Sequence, residues 1–178
     1  FDEKTGAIAE TKFDGAKLES GSGPRHFGFH PGGKFAYVIN ELKQTVTAFR
    51  YRAKRGRLQT LQTISTVPHP VDGNSTAEVL VHPSGKFLYG SNRGHNSIAI
   101  FRIDEKTGKL TALGHEPTRG EIPRNFGIDP TGQFLLAANQ RSNNVAVFRI
   151  NRDTGKLTFT GNEIKLSKPV CVRMILQK

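Results

Sequence analysis

His30-Pro31-Gly32-Gly33-Lys34-Phe35-Ala36-Tyr37-Val38-Ile39-Asn40 returns as His82-Pro83-Ser84-Gly85-Lys86-Phe87-Leu88-Tyr89-Gly90-Ser91-Asn92. A third copy reads Asp129-Pro130-Thr131-Gly132-Gln133-Phe134-Leu135-Leu136-Ala137-Ala138-Asn139. The prolines fall 52 and 47 residues apart, a period that signals a propeller blade or another stacked unit. Gly6, Gly56, Gly108 and Gly155 form an independent series with steps of 50, 52 and 47. Two unrelated markers thus share one period.

Each repeat parses into four short strands. Arg25 to His30 alternates, Pro31-Gly32-Gly33 turns, and Lys34 to Ile39 is apolar enough for a strand covered on both faces. Thr45 to Tyr51 alternates again, and Leu58 to Ser65 completes the unit. The second copy places strands near Ala77–Val81, Phe87–Ser91, Ser97–Ile103 and Leu110–His115. The third places them near Arg124–Ile128, Phe134–Ala138, Asn144–Ile150 and Leu157–Ile164. No capped amphipathic segment of helical length occurs. Residues 1–22 read as the end of a preceding blade, 23–66, 67–120 and 121–167 as three blades, and 168–178 as a closing strand. Residues 67–76 are an insertion within the second unit, of the kind that often lies on a binding face. Because Phe1 to Ile8 matches Ile103 to Leu110, late in a repeat, the sequence reads as the back part of a longer protein.

Composition narrows the function classes. Hydrophobic residues make up 35% of the 178, and no apolar run approaches the roughly 20 residues of a membrane helix. The single cysteine, Cys171, excludes an internal disulfide and makes a cytoplasmic setting the default. A net charge of +11 invites a nucleic-acid partner. The Lys and Arg residues are spread over turns, however, with no basic run and no aromatic-studded basic strand, so no nucleic acid is expected. The positive field favours an anionic small molecule. No metal-ligand spacing, calcium loop, P-loop, dinucleotide fingerprint or nucleophile elbow is present, so no metal and no cofactor are expected.

The repeat also exposes residues that break its pattern. Six positions before the proline stand Arg25, Ala77 and Arg124; five before it stand His26, Glu78 and Asn125. After the second strand come Glu41, Arg93 and Gln140. Scaffold positions should be filled alike in every repeat, whereas these carry differing polar or charged groups. If both sites lie near a central channel mouth, the set converges on one funnel. Arg25, Arg93 and Arg124 would suit a phosphate or carboxylate. Glu41 or a histidine could accept a proton from water, and an arginine could steady a developing oxyanion. Structural roles stand beside these. Arg25 and Glu41 could be an anchoring ion pair, His26 a hydrogen-bonded blade histidine, His95 a brace for its turn, and Arg124 a partner of Glu78. His30 and His82 read as turn residues.

Gly23-Pro24-Arg25-His26, Tyr37-Val38-Ile39-Asn40-Glu41, Ser91-Asn92-Arg93-Gly94-His95 and Pro123-Arg124-Asn125-Phe126 together resemble the seven-bladed lactonase propellers. These include the propeller-type 6-phosphogluconolactonases and the carboxymuconate-lactonizing enzymes. The resemblance extends through Pro169-Val170-Cys171-Val172 and aligns with the C-terminal half of that family. It implies an all-β fold, an incomplete β-propeller of four-stranded antiparallel blades, and a parent that hydrolyses a sugar-acid lactone, 6-phosphogluconolactone above all. By the same resemblance Glu41, Arg93 and Arg25 match catalytic positions, and His26, His95 and Arg124 are candidate substrate contacts. A further family histidine belongs to an earlier blade, so this chain alone is expected to be inactive if that residue is essential. A carboxymuconate cyclase, another lactonase or a non-catalytic scaffold are the competing readings. The missing N-terminal half, or a second copy meeting open blade edges, is the expected macromolecular partner.

Overall fold

The computed structural model describes residues 2–9 and 15–175. Three four-stranded antiparallel sheets follow one another along the chain. The first holds β1 (Pro24–Phe29), β2 (Phe35–Asn40), β3 (Thr45–Arg52) and β4 (Arg57–Ser65). The second holds β5 (Ser75–Val81), β6 (Phe87–Arg93), β7 (Ser97–Ile103) and β8 (Leu110–Pro117). The third holds β9 (Pro123–Ile128), β10 (Phe134–Asn139), β11 (Asn144–Ile150) and β12 (Leu157–Lys165). Strands pair strictly in chain order within each sheet, as short turns between antiparallel neighbours require. The one helical feature among the described residues is a 3-10 turn at Ala53–Arg55, closed by Gly56 in the left-handed region.

The cores lie between sheets. One joins Phe35, Tyr37, Ile39, Val46 and Ala48 of the first blade to Val79, Leu88, Ala99 and Phe101 of the second. The other joins Phe87, Tyr89, Ile98 and Ile100 to Phe126, Leu135, Ala146 and Phe148 of the third. Each Val, Leu, Ile or Phe among these contributes about 1.5–3 kcal/mol over an exposed one. No sheet could bury these faces alone. This is why β2 and β6 are buried along their whole length.

Polar clasps repeat at the same period. Tyr37 Oη donates to the Gly108 carbonyl at 3.1 Å, and Tyr89 Oη to that of Gly155 at 2.9 Å. Burial pushes both phenols up from their ordinary value, so they remain donors at neutral pH. His30 Nε2 reaches the Gly85 carbonyl at 3.0 Å and His82 Nε2 that of Gly132 at 2.9 Å, which gives both histidines a bracing role. Gln44, Asn96 and Asn143 all have positive φ, and their carbonyls accept from Thr66, Thr118 and Leu166.

The inner strands β1, β5 and β9 lie side by side. Of the segment expected as a closing strand, 168–178, residues 168–175 continue that row without joining a ladder, and the last three lie outside the described set. No second strand pairs with it among the described residues. Its entry still copies β9: Lys168 N donates to Asn143 Oδ1 at 2.9 Å, as Ile122 N does to Asn96 Oδ1, and both residues have positive φ. The Val172 carbonyl sits over Gly127 as the Val79 carbonyl sits over Gly28. Of the span expected to end a preceding blade, Phe1 and residues 10–14 lie outside the described set, and the Asp2–Ala7 turn has the hydrogen bonds of the turns at Asp104 and Asn151.

Candidate active site

A β-bulge opens each inner strand, and the bulges carry the out-of-pattern residues. Pairing jumps from Pro24↔Asn40 to His26↔Ile39, leaving Arg25 as the extra residue. It jumps from Thr76↔Asn92 to Val79↔Gly90, so Ala77 and Glu78 face one residue. In the third blade Arg124 is the extra residue, between Pro123↔Asn139 and Asn125↔Ala138. A bulge re-aims its side chains out of the pleat. Arg25, Glu78 and Arg124 come from these bulges, and Arg25 lies within electrostatic reach of the other two, of Glu41 directly after β2, and of Arg93 at the end of β6.

Glu41 bridges two guanidinium groups. Its Oε2 accepts from Arg25 Nε at 3.2 Å, and its Oε1 accepts a short hydrogen bond from Arg93 Nη2. Arg25 Nη1 also donates to the Ala77 carbonyl at 2.7 Å, and Arg93 Nη2 to the Thr76 carbonyl at 3.0 Å. Each arginine is thus held by a carboxylate and a neighbouring bulge carbonyl. Burial is the main cause that lowers the Arg25 pKa from its ordinary value; Arg93 and Arg124 add to the shift, and Glu41 and Glu78 oppose it. The Arg25–Glu41 pair considered as a blade anchor is present, and it is part of a two-arginine clamp. Arg124 is half-buried and forms no ion pair among the described residues, so its fork is uncommitted.

Glu78 lies at the centre of a second network. Its Oε1 faces His26 Nδ1 at 2.7 Å and accepts from the Val79 amide at 3.1 Å. Its Oε2 accepts a short hydrogen bond from Asn125 Nδ2, and Asn125 Oδ1 accepts from the Val172 amide at 2.7 Å. Glu78 is only 2% exposed, so these donors replace the water it has lost. The sequence placed His26, Glu78 and Asn125 at one out-of-pattern repeat position but named only His26 as a candidate site residue. That three equivalent positions of successive blades join in one network was not legible in the repeat. The partner considered for Glu78 was Arg124; the bulge gives it His26 and Asn125.

His95 stands apart from this cluster. Its Nδ1 meets Ser97 Oγ at 2.6 Å, its amide donates to Asn74 Oδ1, and its ring lies edge-on to His115 at 5.2 Å. Gly94, at φ +126°, lies so close to Asn74 that a Cβ there would come within 2.7 Å of the Asn74 Cα. The insertion 67–76 is therefore pinned to the Arg93-Gly94-His95 turn. Burial lowers the His95 pKa first, with His115 and His69 adding to it.

Five charged groups and one imidazole from three blades thus meet at one end of the inner strands. The sequence profile of the family described as "Lactonase, 7-bladed beta-propeller" matches residues 1–174. The chain belongs to that family. The lactonase relatives include a 6-phosphogluconolactonase of Formosa agariphila, 48% identical over 66% of this chain and 33% of that protein. The 6-phosphogluconolactonase of Bacillus subtilis is 39% identical over 64% of this chain and 35% of that protein. Among solved lactonase structures, a putative 6-phosphogluconolactonase of Bacteroides fragilis superposes with a TM-score of 0.82 at 43% identity, over 88% of this chain and 43% of that one. The periplasmic gluconolactonase of Pseudomonas aeruginosa gives 0.84 at 32%, over 89% and 44%. The chain spans about a third of the curated lactonases it matches, and under half of these solved chains. Its three sheets are blades of a lactonase propeller.

Proposed function

We propose that the protein hydrolyses a sugar-acid lactone, with 6-phosphogluconolactone as substrate and 6-phosphogluconate as product, a step of the pentose phosphate route. The observation that carries this reading is the Glu41 clamp. It holds Arg25 and Arg93 in fixed orientations beside the uncommitted Arg124. Three guanidinium groups against two carboxylates leave a cationic site, which suits a phosphorylated or carboxylated ligand. Arg124 takes the phosphate. Arg25 steadies the oxygen that becomes negative when water adds to the lactone carbonyl, a contribution preorganised donors make without rearranging during reaction. Both Glu41 oxygens already accept from guanidinium groups, so its role here is to hold the arginines. The 6-phosphogluconolactonases of Formosa agariphila and Bacillus subtilis favour this substrate. The lone, exposed Cys171 accords with a cytoplasmic setting.

The test is hydrolysis of 6-phosphogluconolactone and unphosphorylated gluconolactone by the full-length protein. Arg124→Ala should raise KM for the phosphorylated lactone alone, by about 10- to 100-fold as expected for losing a charge-assisted contact. Arg25→Ala should lower kcat by about 100-fold or more, the scale of a lost oxyanion donor. Hydrolysis no faster than in buffer would remove the enzyme reading and leave the scaffold reading in its place.

A further inference from the structure

Among the described residues the Glu41 clamp offers no acceptor for the proton of the attacking water, and the second network supplies one. An arginine side chain only donates hydrogen bonds, and so does a backbone N–H. Val172 N–H therefore fixes Asn125 with Oδ1 toward the tail and Nδ2 toward Glu78. On the other side, Arg25 Nη1 lies 3.3 Å from His26 Nε2, so that nitrogen presents its lone pair. The hydrogen of neutral His26 is then on Nδ1, pointing at Glu78 Oε1 at 2.7 Å. Each end of the chain imposes the same answer on the middle.

We propose that His26 is the general base of the site and that Glu78 is its positioning residue, an assignment that rests on the lactone reading above. Glu78 holds the imidazole in the Nδ1–H tautomer and balances the charge it acquires. The Nε2 contact to Arg25 is long and weak enough for a water to replace. His26 keeps 36% of its side chain exposed, against 3% for Glu78, so the ring and not the carboxylate meets solvent. In the reaction, water oxygen bonds to the lactone carbonyl carbon as one water proton passes to Nε2. The tetrahedral oxyanion lies against Arg25. Its collapse re-forms the carbonyl and breaks the bond to the ring oxygen, which takes the proton back from Nε2. The product is the open hydroxy acid, and His26 is neutral again.

The charged groups around His26 are Arg25 on its own strand, Glu41 after β2, Glu78 on β5, Arg93 on β6 and Arg124 on β9. Of these, Glu78 is in direct contact with Nδ1.

The experiment compares His26→Gln, Glu78→Gln and Arg25→Ala in the full-length protein, with 15N spectra of the His26 ring. The wild-type ring should carry its hydrogen on Nδ1. His26→Gln should lower kcat by about 100- to 10,000-fold with KM little changed, the scale of a lost general base. Glu78→Gln should lower kcat by about 10- to 100-fold, as loss of an orienting partner does. It should also release the ring from the Nδ1–H tautomer, so that the 15N spectra of Glu78→Gln show the hydrogen shared between Nδ1 and Nε2. A purely bracing role would leave the tautomer unchanged. If Glu78→Gln fails to fold, His26→Gln at its partly exposed site and the wild-type spectrum decide. Full kcat in His26→Gln alongside an inactive Arg25→Ala overturns the base assignment and keeps the lactone reading. A wild-type hydrogen on Nε2 overturns it as well. Absence of lactone hydrolysis in the wild type overturns both.

Discussion

At the scale of single residues, His95 shows how a family motif can mix two kinds of position. Arg93 and His95 stand two apart in Asn92-Arg93-Gly94-His95, yet Arg93 joins Glu41 and His95 joins Ser97, Asn74 and His115. Burial and two neighbouring imidazoles hold the His95 pKa below its ordinary value, so the unfolded chain binds its proton more readily than the folded one. Stability should therefore fall as pH drops from about 6.5 through the lowered folded value, since the unfolded state gains protons first. The urea midpoint of the wild type should be lower at pH 5.5 than at pH 7.5. His95→Asn should flatten that difference. An unchanged slope would place the acid sensitivity elsewhere. The sequence could offer His95 as a turn brace or a substrate contact, but not which neighbours would surround it, because Asn74 comes from the insertion and His115 from β8.

At the scale of elements, the turns are where sequence and structure agree most closely, for a physical reason. A tight turn is specified by a few residues in direct succession, such as Asp104 accepting from the amides of Lys106 and Thr107 ahead of Gly108 at φ +75°. Strand limits agreed within about two residues, because alternation and the apolar second strand are also local signals. The bulges were not legible. They arise where an inner strand must pair with its neighbour and reach the next blade at once, a condition no single segment carries. Glycine substitutions separate local from inter-blade demands. Gly6, Gly108 and Gly155 have φ of +73°, +75° and +73° in equivalent turns. A Cβ on Gly6 would meet nothing, whereas on Gly108 it would lie 2.2 Å from Phe35 Cδ1 and on Gly155 2.5 Å from Phe87 Cδ1. Gly6→Ala should cost only the left-handed strain of about 1–2 kcal/mol. Gly108→Ala and Gly155→Ala should each add about 1–3 kcal/mol of overpacking, read as a lower denaturant midpoint. Equal losses at all three would mean that the aromatic seats are not part of the blade interface.

At the scale of the whole molecule, the blades form a one-dimensional stack in which each contacts its neighbours. The clasps have a direction: His30 and Tyr37 reach from the first blade to the second, and His82 and Tyr89 from the second to the third. The third blade carries Asp129 and Leu136 at those positions, so beyond it the same clasp cannot be made. The first blade turns Phe27 and Phe29, 43% and 54% exposed, away from its neighbour. The two ends are therefore not complementary by the rule that joins the middle, and a head-to-tail pairing of two copies would lack these donors. Against the third blade lies the 168–175 segment, tied to it through the Val172 amide on Asn125 Oδ1. Val172→Pro removes that donor and leaves a buried acceptor unpaired, at about 1–3 kcal/mol; Val172→Ala keeps the amide and serves as control. In a nearest-neighbour stack the loss should stay local. Hydrogen exchange should quicken in β9 and β10 of the proline variant while β2 and β3 keep their protection, and the control should show neither change. Uniform loss across all three sheets would instead show that the His26–Glu78–Asn125–Val172 chain couples the blades into one cooperative unit.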